Sequence, residues 1–300
     1  MNGYFLKIKI DTGLQIYLKS IDKIKEIFTS EYNIFLVGAS TENKTSIRAQ
    51  LFEMLRDKKK INVRFPEDIF DEQIYQDNYD LLSLENLLAN SVDAVVMCVE
   101  SSGSIAELGA FSNHNGLNNK LIIYMDKQYQ KSESFINLGP IKFLRNKTRS
   151  NVFWIDYDKE IKKYEEDFYY NLLKSLRKIK KENSNLTIDL TNPFVTMRYI
   201  LSLLYTLESC TRKEFVEIVK HVGVKINIHK DVIEEYITLV DSAIGILISN
   251  EEIYKDFDNY FITLKGKARL EDELGSKYIH SFLDNLRLKM LNLQLRKYWN

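Results

Sequence analysis

Proline is nearly absent from this sequence: three residues in 300, beside 11 glycines and two cysteines. So little proline and glycine argues against long disordered linkers and for a chain built mostly of regular elements. The two cysteines, Cys98 and Cys210, lie far apart and outside any metal-ligand spacing, which points to two reduced thiols rather than a disulfide framework. A run of about 18 apolar residues is missing, and Lys7, Lys9 and Asp11 break up the first segment, so neither a membrane span nor a signal peptide is expected. Net charge is missing too, since 42 basic residues balance 42 acidic ones. A nucleic-acid role would therefore need a local basic patch. These absences describe a protein expected in the cytoplasm, with no metal and no cofactor of its own. It is long enough for two domains.

What is present is a run of alternating elements. Residues 14–28, "LQIYLKSIDKIKEIF", place Leu14, Leu18, Ile21 and Phe28 on one face of an amphipathic helix. "IFLVG" then reads as a buried strand ending at Gly38. "TSIRAQLFEMLRDK" follows as a helix with Ile47, Leu51, Met54 and Leu55 inward. "INVRF" is a strand stopped by Pro66, "YDLLSLENLLANS" a helix, "AVVMCV" a strand. "LIIYM" and, after a longer loop, "VFWI" complete five strands. Strands alternating with helices predict an α/β fold with a doubly wound parallel five-stranded sheet. Ligands bind such sheets at the carboxyl ends of the strands. Three loops lie there: Gly38-Ala39-Ser40, Pro66-Glu67-Asp68 and Ser101-Ser102-Gly103-Ser104.

The third loop belongs to "CVESSGSIAELGAF", residues 98–111. Ser104 and Glu107 fit a capping box, with Gly103 making the turn, and that pattern needs no chemistry. The same geometry also aims backbone N–H groups and a helix dipole at the ligand edge, where a phosphate or a ribose would bind. A carboxylate in the first turn of that helix could attack an anomeric carbon or stabilise an oxocarbenium ion.

The pattern S-x-G-S-x-x-E-L-G-A, after a strand opened by Asp93, resembles the nucleoside 2-deoxyribosyltransferases and related N-glycosidases. The resemblance implies that Glu107 is the nucleophile. It implies a second acid eight positions before Asp93, which is Glu85, and a base pocket shaped by Gly38 and Ser40. Ser102 and Gly103 would contact sugar or phosphate. Ser101 stands where those transferases carry the acid that assists base departure. Its presence disfavours ordinary deoxyribosyl transfer and suits a leaving group that needs no proton. Nicotinamide on NAD is one, because the pyridinium leaves neutral. Glu67 and Asp68 could bind ribose hydroxyls or cap the next helix.

The blocks "FPEDIFDE", "LLSLENLLANSVDAVV", "ESSGSIAELGAFSN" and "SFINLGPIKFLR", in this order, resemble the deoxyribosyltransferase-like effectors of retron antiphage systems. That family implies assembly with a reverse transcriptase and its msDNA, an RNA–DNA hybrid. It also implies a toxic cleavage of NAD or a nucleotide, while the resemblance to the deoxyribosyltransferases, which complete their sites with a neighbouring subunit, implies a homo-oligomer.

From residue 159 the pattern changes. Residues 159–190 carry a long charged helix with a basic end at Lys174, Arg177, Lys178, Lys180 and Lys181. Residues 191–300 offer a helix over 194–207, a capped helix at "TRKEFVEIVKHVG" and a third at "KDVIEEYITLVDSAIGI". Two strands around a turn follow, Gly266 opens a helix, and the last segment is basic. This order resembles a C-terminal α+β winged-helix-like domain. The expected divisions are 1–30, 31–158, 159–190 and 191–300. The third of these helices carries Glu234, Glu235 and Asp241, which disfavours major-groove reading. Two other functions stay open at this point. A winged-helix regulator would hold a nucleotide without cleaving it. A phosphoribohydrolase would need a more glycine-rich motif than "SSGSIAE".

Overall fold

The computed structural model describes residues 2–58, 60–65, 91–148, 151–158, 161–182 and 188–296. The chain divides into two compact units, Thr29–Asp68 with Asn78–Thr187, and Met1–Phe28 with Ile69–Asp77 and Ile188–Asn300.

The first unit is an α/β sandwich. Its strands are β1 (Tyr32–Val37), β2 (Ile61–Arg64), β3 (Ala94–Val99), β4 (Leu121–Asp126) and β5 (Asn151–Ile155). All neighbours pair in parallel, in the order β2-β1-β3-β4-β5. Helices α2 (Ile47–Leu55), α3 (Ser102–Asn113), α4 (Lys142–Lys147) and α5 (Glu165–Glu182) flank the sheet. Side chains alternate across a strand, so Ile34, Leu36, Ala94, Val96, Cys98 and Tyr124 share one face. There they pack with Ile47, Leu51 and Leu55 of α2 and with Phe168, Leu172 and Leu176 of α5. Strand β3 is buried throughout, as a central parallel strand must be when both faces are covered. At the amino ends, Asp93 accepts from the Asn33 N–H at 2.8 Å and meets Lys180 at 3.4 Å. One residue of the basic end of α5 is thus committed to holding the sheet.

The loop expected before β5 is largely helical. A single π turn at Asn137–Ile141 contains Pro140 and runs directly into α4. Proline lacks an N–H and breaks the ordinary ladder, and the wider turn absorbs that break.

In the second unit, α1 (Asn2–Ser30) starts well before the expected 14–28. Its buried face is Thr12, Ile16, Tyr17, Ser20, Ile21 and Ile24. Leu18, expected inside, is 49 % exposed because the buried stripe runs through positions 16, 17, 20, 21 and 24 instead. The side chain of Phe28 lies outside the described residues. Helices α6 (Pro193–Leu207), α7 (Arg212–Lys225) and α8 (Lys230–Ser249) follow. Strands β6 (Cys210–Thr211), β7 (Ile253–Asp256) and β8 (Asn259–Ile262) form an antiparallel sheet in the order β6-β8-β7. The expected two-stranded ribbon therefore gains a third strand, because Cys210 and Thr211 pair with Tyr260 and Asn259. Helix α9 (Leu264–Leu274) opens at Leu264, two residues before Gly266, and α10 (Asp284–Arg296) closes the described chain. Thr211 and Glu214 form the expected capping box. Among the described residues, no helix is long and apolar enough to cross a membrane.

Candidate active site

In this strand order the chain leaves β1 toward β2 and returns to β3 on the other side, so the order reverses between β1 and β3. Open parallel sheets bind ligands in the crevice outside such a switch point. Two loops wall it here, the one after β1 and the one after β3.

The loop after β1 begins at Gly38. A Cβ there would lie 2.9 Å from the Cys98 carbonyl oxygen and 3.1 Å from the Cys98 Cβ. Glycine is therefore required by the close approach of the two strand ends, whatever ligand they receive. The buried Arg48 fixes this loop, with Nε donating to the Leu36 carbonyl at 3.0 Å and Nη1 to Ala39 at 3.2 Å. The Ser40 hydroxyl accepts from the Glu42 N–H at 3.3 Å, and its carbonyl accepts from Asn43 at 3.3 Å. Ser40 is exposed on the edge, and those two bonds shape the loop.

At the end of β3, the Glu100 carboxylate accepts from the backbone N–H groups of Ile47 at 2.8 Å and Arg48 at 3.1 Å. A carboxylate thus occupies the positive end of α2, and the first turn of that helix is closed to a ligand phosphate. Beyond it, Ser101 and not Ser104 is the N-cap of α3. The Ser101 Oγ accepts from the Ser104 N–H at 3.1 Å, while the buried Ser104 Oγ accepts from the Ser101 and Glu100 N–H groups at 2.9 and 3.1 Å. The box closes between two serines. The expected Ser104–Glu107 box is displaced by one turn, since Ser104 fills the role expected of Glu107.

This shift changes three residues. Gly103 does not make a turn; it is the second residue of α3 and has no positive φ. A Cβ on it would meet nothing nearer than the Ser101 Oγ at 3.9 Å. Ser102 and Gly103 are exposed, in the first turn, where helix N–H groups have no acceptor within the helix. Glu107 lies in the second turn, half-buried, one turn beyond Gly103. Helical Cα–Cβ bonds tilt toward the helix N-terminus, and the N-terminus of α3 is the end that lies at the carboxyl edge of the sheet. Glu67, Asp68 and Glu85 lie outside the described residues.

Residues that sequence reasoning missed also meet here. The Tyr157 hydroxyl donates to the Tyr124 carbonyl at 2.7 Å and lies 3.3 Å from that of Val99, bridging the ends of β4 and β3. Burial, with Cys98 and Glu100 nearby, pushes its phenol far above the ordinary range, so it remains a donor. Its position just after β5 on the ligand edge was a usable signal. Cys98 is buried, and burial first, then Glu100, pushes its thiol well above the usual range while Arg48 opposes. It is inert packing. A cleft of about 980 Å³ opens beside α2, lined among others by Thr41, Lys44, Thr45 and Tyr157. It shares the loop after β1 with the crevice but is not lined by Glu107 or Gly103. Among the described residues, no cluster of His, Cys, Asp or Glu could hold a metal ion.

The model of the family described as "STM3845 retron effector protein" matches residues 44–253. The chain belongs to this retron effector family. An Escherichia coli protein named "Retron Ec86 putative ribosyltransferase/DNA-binding protein" is 33 % identical over 278 residues, 88 % of this chain and 85 % of that one. Its Ec73 namesake, also from Escherichia coli, is 30 % identical over 132 residues, 41 % of each chain. The resemblance drawn from the motif blocks is thereby established for this retron effector, as is an α/β unit with a five-stranded parallel sheet.

Proposed function

We propose that this retron effector is a toxic N-glycosidase that cleaves the glycosidic bond of NAD or a nucleotide, under the control of a reverse transcriptase and its msDNA. The observation that carries the reading is the placement of Glu107 one turn behind the open Gly103 step, on the carboxyl edge beside a topological switch point. Sugar and phosphate can approach the first turn of α3 because, among the described residues, only the Ser101 Oγ comes within 4 Å of a Cβ placed on Gly103, at 3.9 Å. An oxygen of the Glu107 carboxylate would then bond to the anomeric carbon as the bond to the base breaks. Water would hydrolyse the glycosyl ester afterwards. The residue at the expected acid position, Ser101, is engaged as a helix cap, and Glu100 is engaged with α2. A base that leaves without a proton fits this arrangement, and the nicotinamide of NAD is such a base.

The names of the relatives, which couple ribosyltransferase with DNA-binding, agree with this division of labour. The order α6-β6-α7-α8-β7-β8 resembles that of a winged helix, and this resemblance supports a partner-binding role for the second unit. Glu85, Glu67, Asp68, Gly38, Ser40 and Ser102 complete the proposed pocket, in a cytoplasmic assembly that includes a homo-oligomer. The test is NAD content and growth in cells expressing the wild type or Glu107→Gln, with and without the neighbouring reverse transcriptase. Loss of NAD by the wild type, reduced on the order of 10³-fold in rate by Glu107→Gln, is the expected result. Equal toxicity of the two proteins ends the glycosidase reading.

A further inference from the structure

The hairpin β7–β8 turns through two residues, Phe257 and Asp258. Phe257 has φ +49°, and Asp258 has no positive φ. A positive φ at the first central position alone is the pattern of a type II′ turn, where glycine is the ordinary occupant. A bulky aromatic there is strained. The strain is not repaid inside the fold, because Phe257 is 91 % exposed. Behind it on one face of the hairpin, the cross-strand pair Tyr254 and Phe261 stacks at 5.2 Å with an interplanar angle of 17°. Tyr254 is half exposed as well. Strained backbone that holds a side chain in open solvent is a reason to look for a function, and adjoining exposed aromatics mark interaction surfaces.

The charge around the tip decides what kind of partner fits. Asp256 and Asp258 are both exposed and flank Phe257 on either side. The lysine of this hairpin, Lys255, sits over the Tyr260 ring at 5.7 Å, on the opposite face from the Tyr254–Phe261 pair. Two carboxylates beside the aromatic repel a phosphate backbone and attract lysine and arginine. We propose that the hairpin tip is a protein-docking anchor, in which Phe257 enters an apolar pocket rimmed by basic side chains on a partner protein. Tyr254 and Phe261 cover the pocket's edge. The proposal rests on the complex proposed above and refines it: this hairpin engages the protein component of the complex, and the nucleic acid is bound elsewhere.

The experiment measures binding of the full chain to the reverse transcriptase purified with its msDNA, and to msDNA alone, for the wild type and for Phe257→Gly. Glycine removes the anchor and also relieves the turn, so folding and docking are predicted to move in opposite directions. The variant should melt at or above the wild-type temperature, bind the reverse transcriptase complex about tenfold or more weakly, and keep its affinity for msDNA alone. Asp256→Asn with Asp258→Asn should weaken the same binding and flatten its salt dependence. Unchanged binding of Phe257→Gly to the complex overturns the proposal, as does a lower melting temperature, which would make Phe257 a structural residue. Equal loss on msDNA alone overturns it in favour of base stacking. Loss of self-association, with the complex unaffected, overturns it in favour of a second copy. If the wild type fails to bind the complex at all, the proposed complex falls together with the docking; if only the variant comparison fails, the complex stands.

Discussion

Gly103 and Gly266 occupy almost the same place in two helices, the second residue of α3 and the third of α9, yet their missing side chains do opposite work. At Gly266 a Cβ would lie 2.2 Å from the Glu252 carbonyl oxygen, an atom that already accepts from the Thr263 N–H at 3.0 Å. The chain fills that space with its own backbone. At Gly103, among the described residues, only the Ser101 Oγ comes within 4 Å, at 3.9 Å. The polar groups around each glycine follow the same division. Beside Gly266, Glu252 pairs with Arg269 at 2.5 Å, Arg269 with Glu273 at 3.0 Å and Glu273 with Arg198 at 2.7 Å, a chain of buried ion pairs within the unit. Around Gly103, Glu100, Ser101, Ser104 and Arg48 are all turned onto backbone, which rigidifies two loops and leaves the first turn of α3 as the open feature. A glycine read from sequence alone is ambiguous between these roles; what stands opposite its missing Cβ resolves the ambiguity.

Substitutions can break this comparison. Gly266→Ala should be the most costly, about 3 kcal/mol, since backbone and not a mobile side chain stands in the way. Thermal unfolding checks it, and a neutral result would equate the two glycines. Glu100→Ala should cost about 2 kcal/mol by stripping two charge-assisted acceptors from the first turn of α2; urea unfolding would register it. Lys120 sharpens the comparison from the amino edge of the same sheet. Burial holds its ammonium below the usual range, with Asp93 opposing, and its Nζ donates to the Val92 carbonyl at 3.2 Å. Between the lowered folded pKa and the unfolded value of 10.5 the folded protein binds fewer protons, so stability should rise with pH through that window. Lys120→Met should flatten the rise, measured as urea midpoints from about pH 8 to pH 10. Gly103→Ala should move stability least, within about 0.5 kcal/mol. It should still depress the proposed NAD cleavage, because the added methyl stands where the proposed substrate would approach.

The strands are legible because each is a short apolar run closed by glycine, proline or a carboxylate, and the run "AVVMCV" coincides with β3. The capping register at α3 is not. The run S-S-G-S offers both Ser101 and Ser104 as caps, and the spacing Ser104-x-x-Glu107 favours the second. The fold chose the other, since Ser104 can be buried and satisfied by Ser101 where a glutamate could not. The segment before β5 reads as a longer loop from sequence, and only the π turn that accommodates Pro140 reveals the helix. Arg48, Glu100 and Tyr157 were invisible as a group because their partners are 9 to 58 positions away. The edge they hold exists only once the sheet has closed.

Helix α1 is bound into the unit formed mainly by residues 188–300. Lys9 reaches Glu214 at 2.9 Å, Tyr199 donates to the Gly13 carbonyl at 2.9 Å, and Ser20 meets Tyr278 at 3.1 Å. A ribosome makes this helix before the entire α/β unit and makes its partners after it. At about 5–20 residues per second, the wait is on the order of ten seconds or more. During translation, the parallel sheet of the α/β unit can therefore assemble while the unit proposed to meet partners is still incomplete. On the proposed function, the toxic fold emerges ahead of its restraint, and the tempo of synthesis becomes part of how such a protein is kept safe.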